Sequence, residues 1–311
     1  MNEAPFFEDV ADGPDGGVAF WATAADGVKI RVGHWPCADA RGTILLFPGR
    51  TEYIEKYGRA AKDFAERGYT TLCIDWRGQG LADRANADRG LGHVDSFSDF
   101  QADVDAALRY AQTQRLPRPF YMIGHSMGGC IGLRALHEGL PVKAAVFSAP
   151  MWGIAMSGVM RPAAWALSSV ARRVGLGTRI APGQSTATYV ERVLLPENEL
   201  TTDSEMFGYM QDQLAAHPDL ALGGPSLRWL NEALIEMRKL ARMQSPAYPC
   251  VTFLGTDETI VDTDRVRDRM ARWPGGRLEV VEGARHEVMM EAPAIRTRIF
   301  DQICAHFDAH R

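Results

Sequence analysis

Short, continuous apolar runs recur along the chain, separated by longer segments whose apolar residues have helical spacing. The apolar runs are 43–47, 70–74, 120–123, 144–147, 251–254 and 278–281, and an alternating run at 28–32 precedes them. The helical segments are 54–67, 97–112, 126–137 and 294–306. Because strands of a parallel sheet are buried on both faces, this pattern predicts a doubly wound α/β fold with a mostly parallel sheet. Its active site is expected at the carboxyl ends of the strands.

The alternation of strands and helices stops after Pro150 and resumes at Pro249. Residues 151–245 contain helix-like segments interrupted by proline and glycine, but no run typical of a buried strand. A helical stretch inserted between two strands predicts a cap over the carboxyl edge of the sheet. The expected organisation is therefore a core built from residues 1–150 and 246–311, with a helical cap insertion at 151–245.

Composition places the chain among ordinary globular proteins. It has 311 residues, of which 46% are hydrophobic and 23% are charged, with a net charge of −5. A substantial core can therefore be buried. Acidic and basic residues are interspersed and form no basic face, which argues against nucleic acid as a partner. The sequence leaves the oligomeric state open.

The cysteines and the N-terminus bear on the compartment. The five cysteines, an odd number at wide spacings, are Cys37, Cys73, Cys130, Cys250 and Cys304. They indicate reduced thiols rather than a disulfide framework or a zinc site. The first residues lack the basic-then-apolar order of a signal peptide, and no uncharged apolar stretch approaches about 18 residues. We expect a cytoplasmic protein whose membrane contact is at most peripheral, through the cap.

The central chemical motif is the run Gly-His-Ser-Met-Gly at 124–128. It follows an apolar strand and opens a helix, which is the context that a nucleophile elbow requires. Gly124 and Gly128 supply the small residues that the sharp turn needs, and the helix N-terminus directs N–H groups toward developing negative charge. Gly-x-Ser-x-Gly alone occurs by chance in a Gly-rich chain, so the flanking elements carry the prediction. Ser126 is the expected nucleophile.

A serine hydroxyl is a weak nucleophile until a neighbouring base takes its proton. In this architecture the base is expected on a loop after the last strand. His286 follows the apolar run 278–281 and fits that position. The alternative interpretation of His286 is a surface loop histidine.

A carboxylate should orient the imidazole and stabilise its cation. The loop after the run 251–254 offers Asp257, Glu258 and Asp262. Asp257 is closest to the strand end and follows a Gly-Thr turn, so it is the predicted acid. Glu258 is expected to face another direction, and Asp262 can instead cap the next helix. The resulting order along the chain is serine, acid, histidine, unlike the orders of chymotrypsin and subtilisin.

An oxyanion hole needs two backbone N–H donors. Met127 directly follows the nucleophile, and Arg50 follows the buried strand at a Pro-Gly turn, so their amides are the predicted donors. The side chains of Arg50, Glu52 and Tyr53 are expected near the pocket mouth. There they would bind a polar head group, or Arg50 and Glu52 would form a surface ion pair.

Two further segments carry polar or adaptable side chains. The run Asp-Trp-Arg-Gly-Gln-Gly at 75–80 follows a strand but lacks the spacing of a phosphate-binding loop, which favours structural support of the site. Met151 and Trp152 begin a sulfur-rich and aromatic stretch that suits an acyl pocket. Packing of the cap on the core explains that stretch equally well.

These segments together resemble the monoacylglycerol lipase and lysophospholipase L2 branch of the α/β-hydrolase superfamily, a group also labelled serine aminopeptidase S33-like. The resemblance is carried by Phe-Pro-Gly-Arg-Thr-Glu (47–52), Asp-Trp-Arg-Gly-Gln-Gly (75–80), Gly-His-Ser-Met-Gly-Gly (124–129), Gly-Thr-Asp (255–257) and Glu-Gly-Ala-Arg-His (282–286). Ser-Ala-Pro-Met (148–151) and Gly-Gly-Pro (223–225) resemble the lysophospholipase side.

The resemblance implies Ser126 as nucleophile, Asp257 as acid and His286 as base, with oxyanion donors at Arg50 and Met127. It also implies a helical cap that forms the acyl site. One departure is the Pro-Gly pair at 48–49, where monoacylglycerol lipases usually have His-Gly. A strict monoacylglycerol lipase is therefore less favoured.

The expected function is hydrolysis of a monoacyl ester lipid, either a lysophospholipid or a monoacylglycerol, through an acyl-enzyme. The substrate is a small-molecule acyl ester, and neither a metal nor an organic cofactor is required. An aminopeptidase or small-ester carboxylesterase is an alternative on the same triad. An aminopeptidase would need an acidic patch for the substrate amine, which Glu52 or Glu191 could supply. A ligand receptor that keeps the fold without turnover is the alternative from another class.

Overall fold

Eight strands form one sheet in the computed structural model, which describes residues 2–311. The strands are β1 (Val18–Thr23), β2 (Lys29–Trp35), β3 (Thr43–Phe47), β4 (Thr70–Asp75), β5 (Phe120–His125), β6 (Ala145–Ser148), β7 (Cys250–Gly255) and β8 (Arg277–Val281). Their order across the sheet is β1-β2-β4-β3-β5-β6-β7-β8. The β1–β2 and β2–β4 pairings are antiparallel and the others are parallel. The predicted fold class is confirmed.

The central strands are apolar on both sides because helices cover both faces of the sheet. Along β3, Leu45 and Phe47 belong to one buried cluster, while Ile44 and Leu46 belong to a second on the opposite face. The period-two alternation of a strand distributes one continuous apolar run between two cores. All seven predicted strands are present to within two residues at either end, apart from β2, which extends three residues further, to Trp35.

Residues 2–311 form ten α-helices, which flank the sheet or lie in the stretch between β6 and β7. They are α1 (Glu8–Ala11), α2 (Gly58–Glu66), α3 (Phe100–Thr113), α4 (Met127–His137), α5 (Met160–Arg173), α6 (Tyr189–Arg192), α7 (Ser204–Ala216), α8 (Leu227–Arg242), α9 (Thr263–Ala271) and α10 (Pro293–Asp308). The buried residues of α3 and α4 join the first cluster, and those of α2 and α10 join the second. The four predicted helical segments are confirmed, with short 3₁₀ turns opening two of them.

Between β6 and β7 the described chain contains helices and isolated bridges, but no strand. The two longest helices there, α5 and α8, pack against each other. Ser226 caps α8, since its hydroxyl accepts the amide of Trp229 at 3.1 Å. Asp262 caps α9 in the same way through the amide of Arg265. None of the helices within residues 2–311 combines the length and the apolar character needed to cross a bilayer.

Candidate active site

Ser126 stands at a sharp turn between β5 and α4. Its backbone has φ 48° and ψ −116°, a region that L-residues with a side chain rarely adopt. Two hydrogen bonds hold the turn: the Ser126 amide donates to Ser148 O at 3.0 Å, and the Met151 amide donates to Ser126 O at 2.8 Å. Strain of this kind persists where surrounding structure enforces it and is concentrated at functional sites.

The glycines on either side of Ser126 are required by close backbone contacts. A Cβ at Gly128 would lie 2.0 Å from Phe47 O, and a Cβ at Gly124 would lie 2.9 Å from Gly128 O. Both distances are shorter than van der Waals contact permits. The chain can therefore turn from β5 into α4, with Gly128 against β3, only if these two positions have no side chain.

His286 lies on the loop after β8 and is buried. Its Nδ1 lies 2.7 Å from Glu258 Oε2, and Glu258 is also buried. A hydrogen bond at Nδ1 leaves Nε2 as the ring nitrogen that can act on Ser126. The pair therefore has the arrangement of an imidazole base and the carboxylate that orients it.

The assignment of Asp257 as this carboxylate is wrong, because its side chain is exposed and contacts the Thr256 hydroxyl instead of His286. The reason lies in the turn after β7. The Asp257 amide donates to Ala284 O at 3.0 Å, which ties residue 257 to the neighbouring loop with its side chain outward. The side chain of the following residue, Glu258, consequently points inward.

Backbone amides fix the other oxygen of the Glu258 carboxylate. Its Oε1 accepts from Ile260 N at 2.6 Å and from Val261 N at 3.0 Å. Burial works to raise the pKa of Glu258, but the charge and hydrogen bond of His286, with the two amides, outweigh burial and lower that pKa. The carboxylate is therefore ionised at neutral pH and placed to stabilise an imidazolium.

The amides of Arg50 and Met127 remain available as oxyanion donors. Neither donates a hydrogen bond to another group within residues 2–311. Met127 N is also the first amide of α4, where the positive end of the helix dipole lies. Free amides beside a nucleophile are what an oxyanion hole requires.

The segment 75–80 braces the turn that carries Arg50. Trp76 Nε1 donates to Pro48 O at 2.9 Å, and Gln79 Nε2 donates to Gly49 O at 3.0 Å. The amide of Thr51 donates to Gln79 Oε1 at 3.0 Å. These three hydrogen bonds support the interpretation of this segment as structural support of the site.

A buried cluster of charges lies next to Ser126 and His286 in the chain, formed around His125 and Glu287. Lys56 Nζ lies 2.5 Å from Glu52 Oε1 and 2.5 Å from Glu287 Oε1. His125 Nε2 lies 3.2 Å from the same oxygen of Glu287, and Tyr57 donates its hydroxyl to Glu52 at 2.5 Å. Glu52 also accepts the amide of Gly49. The cluster thereby links the turn at Gly49, the turn at Ser126 and the loop that carries His286.

Mutual attraction keeps this cluster charged despite its burial. Desolvation works to lower the pKa of His125, but Glu287 and Glu52 together raise it. Desolvation likewise works against Lys56, whose pKa the same carboxylates raise. The pKa of Glu287 lies well below its usual range because His125 and Lys56 overcome the effect of burial.

Glu52, His125 and Glu287 also have the donor atoms of a metal site. Their ligand atoms lie within 4.8 Å of one another, and within residues 2–311 this is the one group of that kind. The Lys56 ammonium, however, lies against both carboxylates and already supplies positive charge there. The residues therefore fit an internal ion-pair network better than a metal centre.

Ser126 and His286 open onto one cavity of about 870 Å³ beneath the helical insertion. Most of its lining is apolar, including Met151, Ile154, Leu167, Leu214, Trp229 and Leu230. Glu52 and Tyr53 also border it, but the Glu52 carboxylate is held by Lys56, and the Tyr53 hydroxyl donates to Gln213 at 2.9 Å. A cavity of this size and character suits an acyl chain.

Trp152 does not line this cavity, contrary to its assignment as a substrate contact. Its indole N–H donates to Gly129 O at 3.2 Å, and its ring packs against Phe147 and Trp273. Trp152 therefore supports the beginning of α4 from within the core.

The loop that carries the base is bonded to residues 198–202 of the insertion. The Glu287 amide donates to Leu200 O at 2.7 Å, and Arg285 Nη1 donates to Asn198 O at 2.6 Å. Thr201 Oγ1 donates to Met290 O at 2.7 Å. The position of His286 thus depends on contacts with the insertion as well as with the sheet.

The sequence interpretation missed the buried charge cluster of Glu52, Lys56, His125 and Glu287, and also the surroundings of the Arg50 side chain. Lys56 lies in a predicted helix and Glu287 follows the base directly, so each has the ordinary appearance of a surface charge. A surface ion pair between Arg50 and Glu52 does not form, because Glu52 is buried and bonded to Lys56. The one available signal was the density of charged residues at 50–56.

Comparison with known proteins places the chain near lipid esterases. A family model described as serine aminopeptidase, S33, matches residues 38–293. Lysophospholipase L2 of Escherichia coli (strain K12) is 30% identical over 303 residues, which cover 93% of this chain and 86% of that protein. The probable lysophospholipase L2 of Haemophilus influenzae is 27% identical over 270 residues, covering 86% of this chain and 84% of that protein.

Solved structures show the same fold. A soluble variant of monoglyceride lipase from Saccharomyces cerevisiae, in complex with a substrate analog, superimposes with a TM-score of 0.73 at 22% identity, covering 94% of each chain. A carboxyl esterase from Bacillus coagulans superimposes with a TM-score of 0.75 at 15% identity, covering 96% of this chain and 99% of the other.

Proposed function

Because the chain belongs to the serine aminopeptidase S33 family of α/β-hydrolases, we propose that it hydrolyses carboxylic esters of monoacyl lipids, either lysophospholipids or monoacylglycerols. The observation that carries the proposal is that the strained Ser126 and the Glu258-bonded His286 share one largely apolar cavity. Relatives named as lysophospholipases and monoglyceride lipases support it.

Acylation starts with attack of Ser126 Oγ on the ester carbonyl while His286 Nε2 takes the hydroxyl proton. The carbonyl oxygen becomes an oxyanion and accepts hydrogen bonds from the amides of Arg50 and Met127. Glu258 stabilises the imidazolium that forms. His286 then gives its proton to the departing alcohol, and the acyl group remains on Ser126.

Deacylation repeats these steps with water in place of the serine. His286 takes a proton from the water, whose oxygen attacks the acyl carbonyl. Collapse of the oxyanion breaks the bond to Ser126, which recovers its proton from His286. The fatty acid leaves, and the cycle requires neither a metal nor an organic cofactor.

We propose that residues 151–245 act as the cap that covers the acyl site and contacts a membrane peripherally. The outer surface of α5 and its flanks exposes Val159 at 84% and Met160 at 62% of their accessible areas. Residues 155–195 contain five arginines and a single carboxylate, although the whole chain is acidic. Exposed apolar side chains among cations suit the surface of an anionic bilayer. Binding to anionic vesicles is the measurement that tests this contact.

A cytoplasmic location remains part of the proposal. All five cysteines are free of disulfides, and four of them are buried. Reduced, buried thiols are typical of a reducing compartment. Titration of the thiols in freshly lysed cells should find all five cysteines reduced. Disulfides in the protein would contradict a cytoplasmic location.

The structure favours an ester over a peptide substrate. An aminopeptidase needs a free carboxylate to bind the substrate amine, but Glu52 is neutralised by Lys56. Glu191, the other candidate carboxylate, is exposed and does not line the cavity, and Glu199, which borders it, accepts the Thr259 hydroxyl at 3.1 Å. If the protein hydrolysed an aminoacyl anilide faster than acyl esters, the proposed preference for esters would be wrong.

Substitution Ser126→Ala tests the proposal. It removes the nucleophile, so turnover of p-nitrophenyl esters should fall by about four orders of magnitude or more. A fluorophosphonate probe should label the wild type and not the variant. Unlabelled, inactive wild type would instead indicate a receptor without turnover, and an active variant would exclude Ser126 as the nucleophile.

A further inference from the structure

The guanidinium of Arg50 lies at the cavity that holds Ser126, and it has few partners. Its Nη1 donates to Gly223 O at 2.7 Å, and its Cζ lies 5.6 Å from the centre of the Trp229 ring. No carboxylate of residues 2–311 lies within ion-pair distance of it. Since a guanidinium has five N–H donors, most of its hydrogen-bonding capacity is unused.

Among residues 2–311, two of the three buried guanidinium groups are paired with carboxylates, and the third, Arg269, donates to Leu240 O. Arg31 lies 2.7 Å from both Glu55 and Asp75. Arg77 lies 2.6 Å from Asp26 and 2.7 Å from Asp103. An unpaired charge is costly where water is partly excluded, and at the half-buried Arg50 desolvation lowers the pKa to about 10. The Arg50 guanidinium therefore borders the cavity of Ser126 without a carboxylate partner.

The surroundings hold this cation in place. Two loop segments that contain glycine meet beside the Arg50 guanidinium. The Gly92 amide donates to Gly224 O at 3.0 Å, and the Ser226 amide donates to Gly92 O at 2.7 Å. A Cβ on Gly92 would lie 3.1 Å from Arg50 Nη1, so this backbone packs closely on the guanidinium. The side chain is therefore part of a built pocket rather than a mobile surface group.

We propose that Arg50 binds the phosphate of a lysophospholipid, and that the enzyme therefore prefers phosphate-bearing monoacyl lipids to neutral monoacylglycerols. This inference rests on the proposed ester hydrolysis. The Arg50 amide serves the oxyanion, so the ester carbonyl and the guanidinium are linked through one residue. A lysophospholipid likewise links its ester to its phosphate through a short glycerol backbone. Guanidinium groups bind phosphate through paired, charge-assisted hydrogen bonds.

The anion is the head group rather than the fatty acid product. The carboxylate of the product derives from the carbonyl that reacts with Ser126, so it leaves from the oxyanion hole. The acyl chain extends from that carbon into the apolar part of the cavity. The phosphate belongs to the alcohol portion of the substrate and needs a separate cation, which Arg50 supplies.

The test compares kcat/KM for a lysophosphatidylcholine and a monoacylglycerol of the same acyl chain. In Arg50→Met, the ratio of the two kcat/KM values should fall by about 10- to 100-fold, the range of a lost charge-assisted hydrogen bond. Arg50→Lys should recover part of the ratio. Arg84→Met is the matched control: Arg84 also has its pKa lowered to about 10, and it donates to backbone carbonyls away from the cavity.

Several outcomes would overturn the inference. Equal loss on both lipids in Arg50→Met, or a wild type that favours the monoacylglycerol, would exclude a phosphate contact. In the wild type, glycerol 3-phosphate should inhibit more strongly than inorganic phosphate; equal inhibition would assign the site to a free anion. A wild type inactive on both lipids would overturn the proposed function itself, whereas an active one with an unaffected ratio would overturn this inference alone.

Discussion

The hydrogen bond between His286 Nδ1 and Glu258 Oε2 decides which ring nitrogen can accept the proton of Ser126. An acceptor at Nδ1 keeps the proton on that nitrogen and leaves the lone pair on Nε2. The two amides at the far oxygen of Glu258 prevent its carboxylate from rotating away. The tautomer of His286 is thus controlled by the Glu258 side chain, which the backbone amides of Ile260 and Val261 hold in place.

Glu258→Gln should lower kcat for a p-nitrophenyl ester by about a thousand-fold or more, because an amide can stabilise the wrong tautomer and cannot stabilise the imidazolium. Asp257→Asn is the matched control and should stay close to wild type, since that side chain is exposed. Steady-state kinetics of both variants measure the difference. The reverse ranking would restore Asp257 as the acid.

The choice between Asp257 and Glu258 shows what sequence resolves at this scale. The motif and the strand order placed a carboxylate in the loop that contacts His286, and His286 itself in the loop after β8. Neighbouring carboxylates in a turn, however, point in opposite directions. The backbone bond from Asp257 to Ala284, a residue of a different loop, determines which one faces inward. A single local pattern contains no signal for that contact.

Among the elements, α5 differs from the other long helices in exposing part of its apolar surface. Val170 of α5 is 55% exposed, and Val159 and Val174, which directly precede and follow the helix, are 84% and 61% exposed; their spacing places all three on one side. Arg172 and Arg173 lie beside them. This helix therefore presents the features by which the cap would meet a lipid surface.

Replacing Val159, Val170 and Val174 together by serine should weaken binding to phosphatidylglycerol vesicles by about ten-fold or more, because apolar area no longer enters the bilayer. Co-sedimentation measures the binding. Val280→Ser, at an exposed valine of β8, is the control and should leave binding unchanged. Equal binding by the triple variant would exclude α5 as the contact.

Strands and helices were predictable where periodicity and burial agree, as in β3 and α3. The strand β1 was not predicted. It lies at the edge of the sheet with one neighbour, and Val18, Phe20 and Trp21 are only partly buried, so the run lacks a clear apolar face. Pairing with β2 determines its conformation, and a short sequence window does not contain that partner.

For the molecule as a whole, two half-buried histidines, His34 and His306, couple stability to pH. Burial lowers the pKa of His34 and of His306 from 6.5 to about 4. Between these values the unfolded chain binds protons that the folded chain does not, so stability falls as pH falls. Glu258, whose pKa is also lowered, adds to the loss only below its unfolded pKa of 4.5.

His34 and His306 should therefore lower the urea midpoint between about pH 6.5 and pH 4, whereas His125 and Asp103, whose pKa values are raised, act in the opposite sense. The double variant His34→Gln and His306→Gln should have a shallower pH dependence in that window, because two of the proton acceptors of the unfolded chain are removed. Urea unfolding monitored by fluorescence at several pH values measures this. A slope identical to wild type would contradict the role of the two histidines.

The bonds from Asn198, Leu200 and Thr201 to the loop of His286 limit how the protein can be re-engineered. A cap taken from a relative and grafted between β6 and β7 would bring its own acyl pocket, but it would also replace the partners of the base. The cap that shapes the acyl pocket and the loop that positions His286 therefore cannot be exchanged independently. Successful chimeras would have to exchange the histidine loop together with the cap.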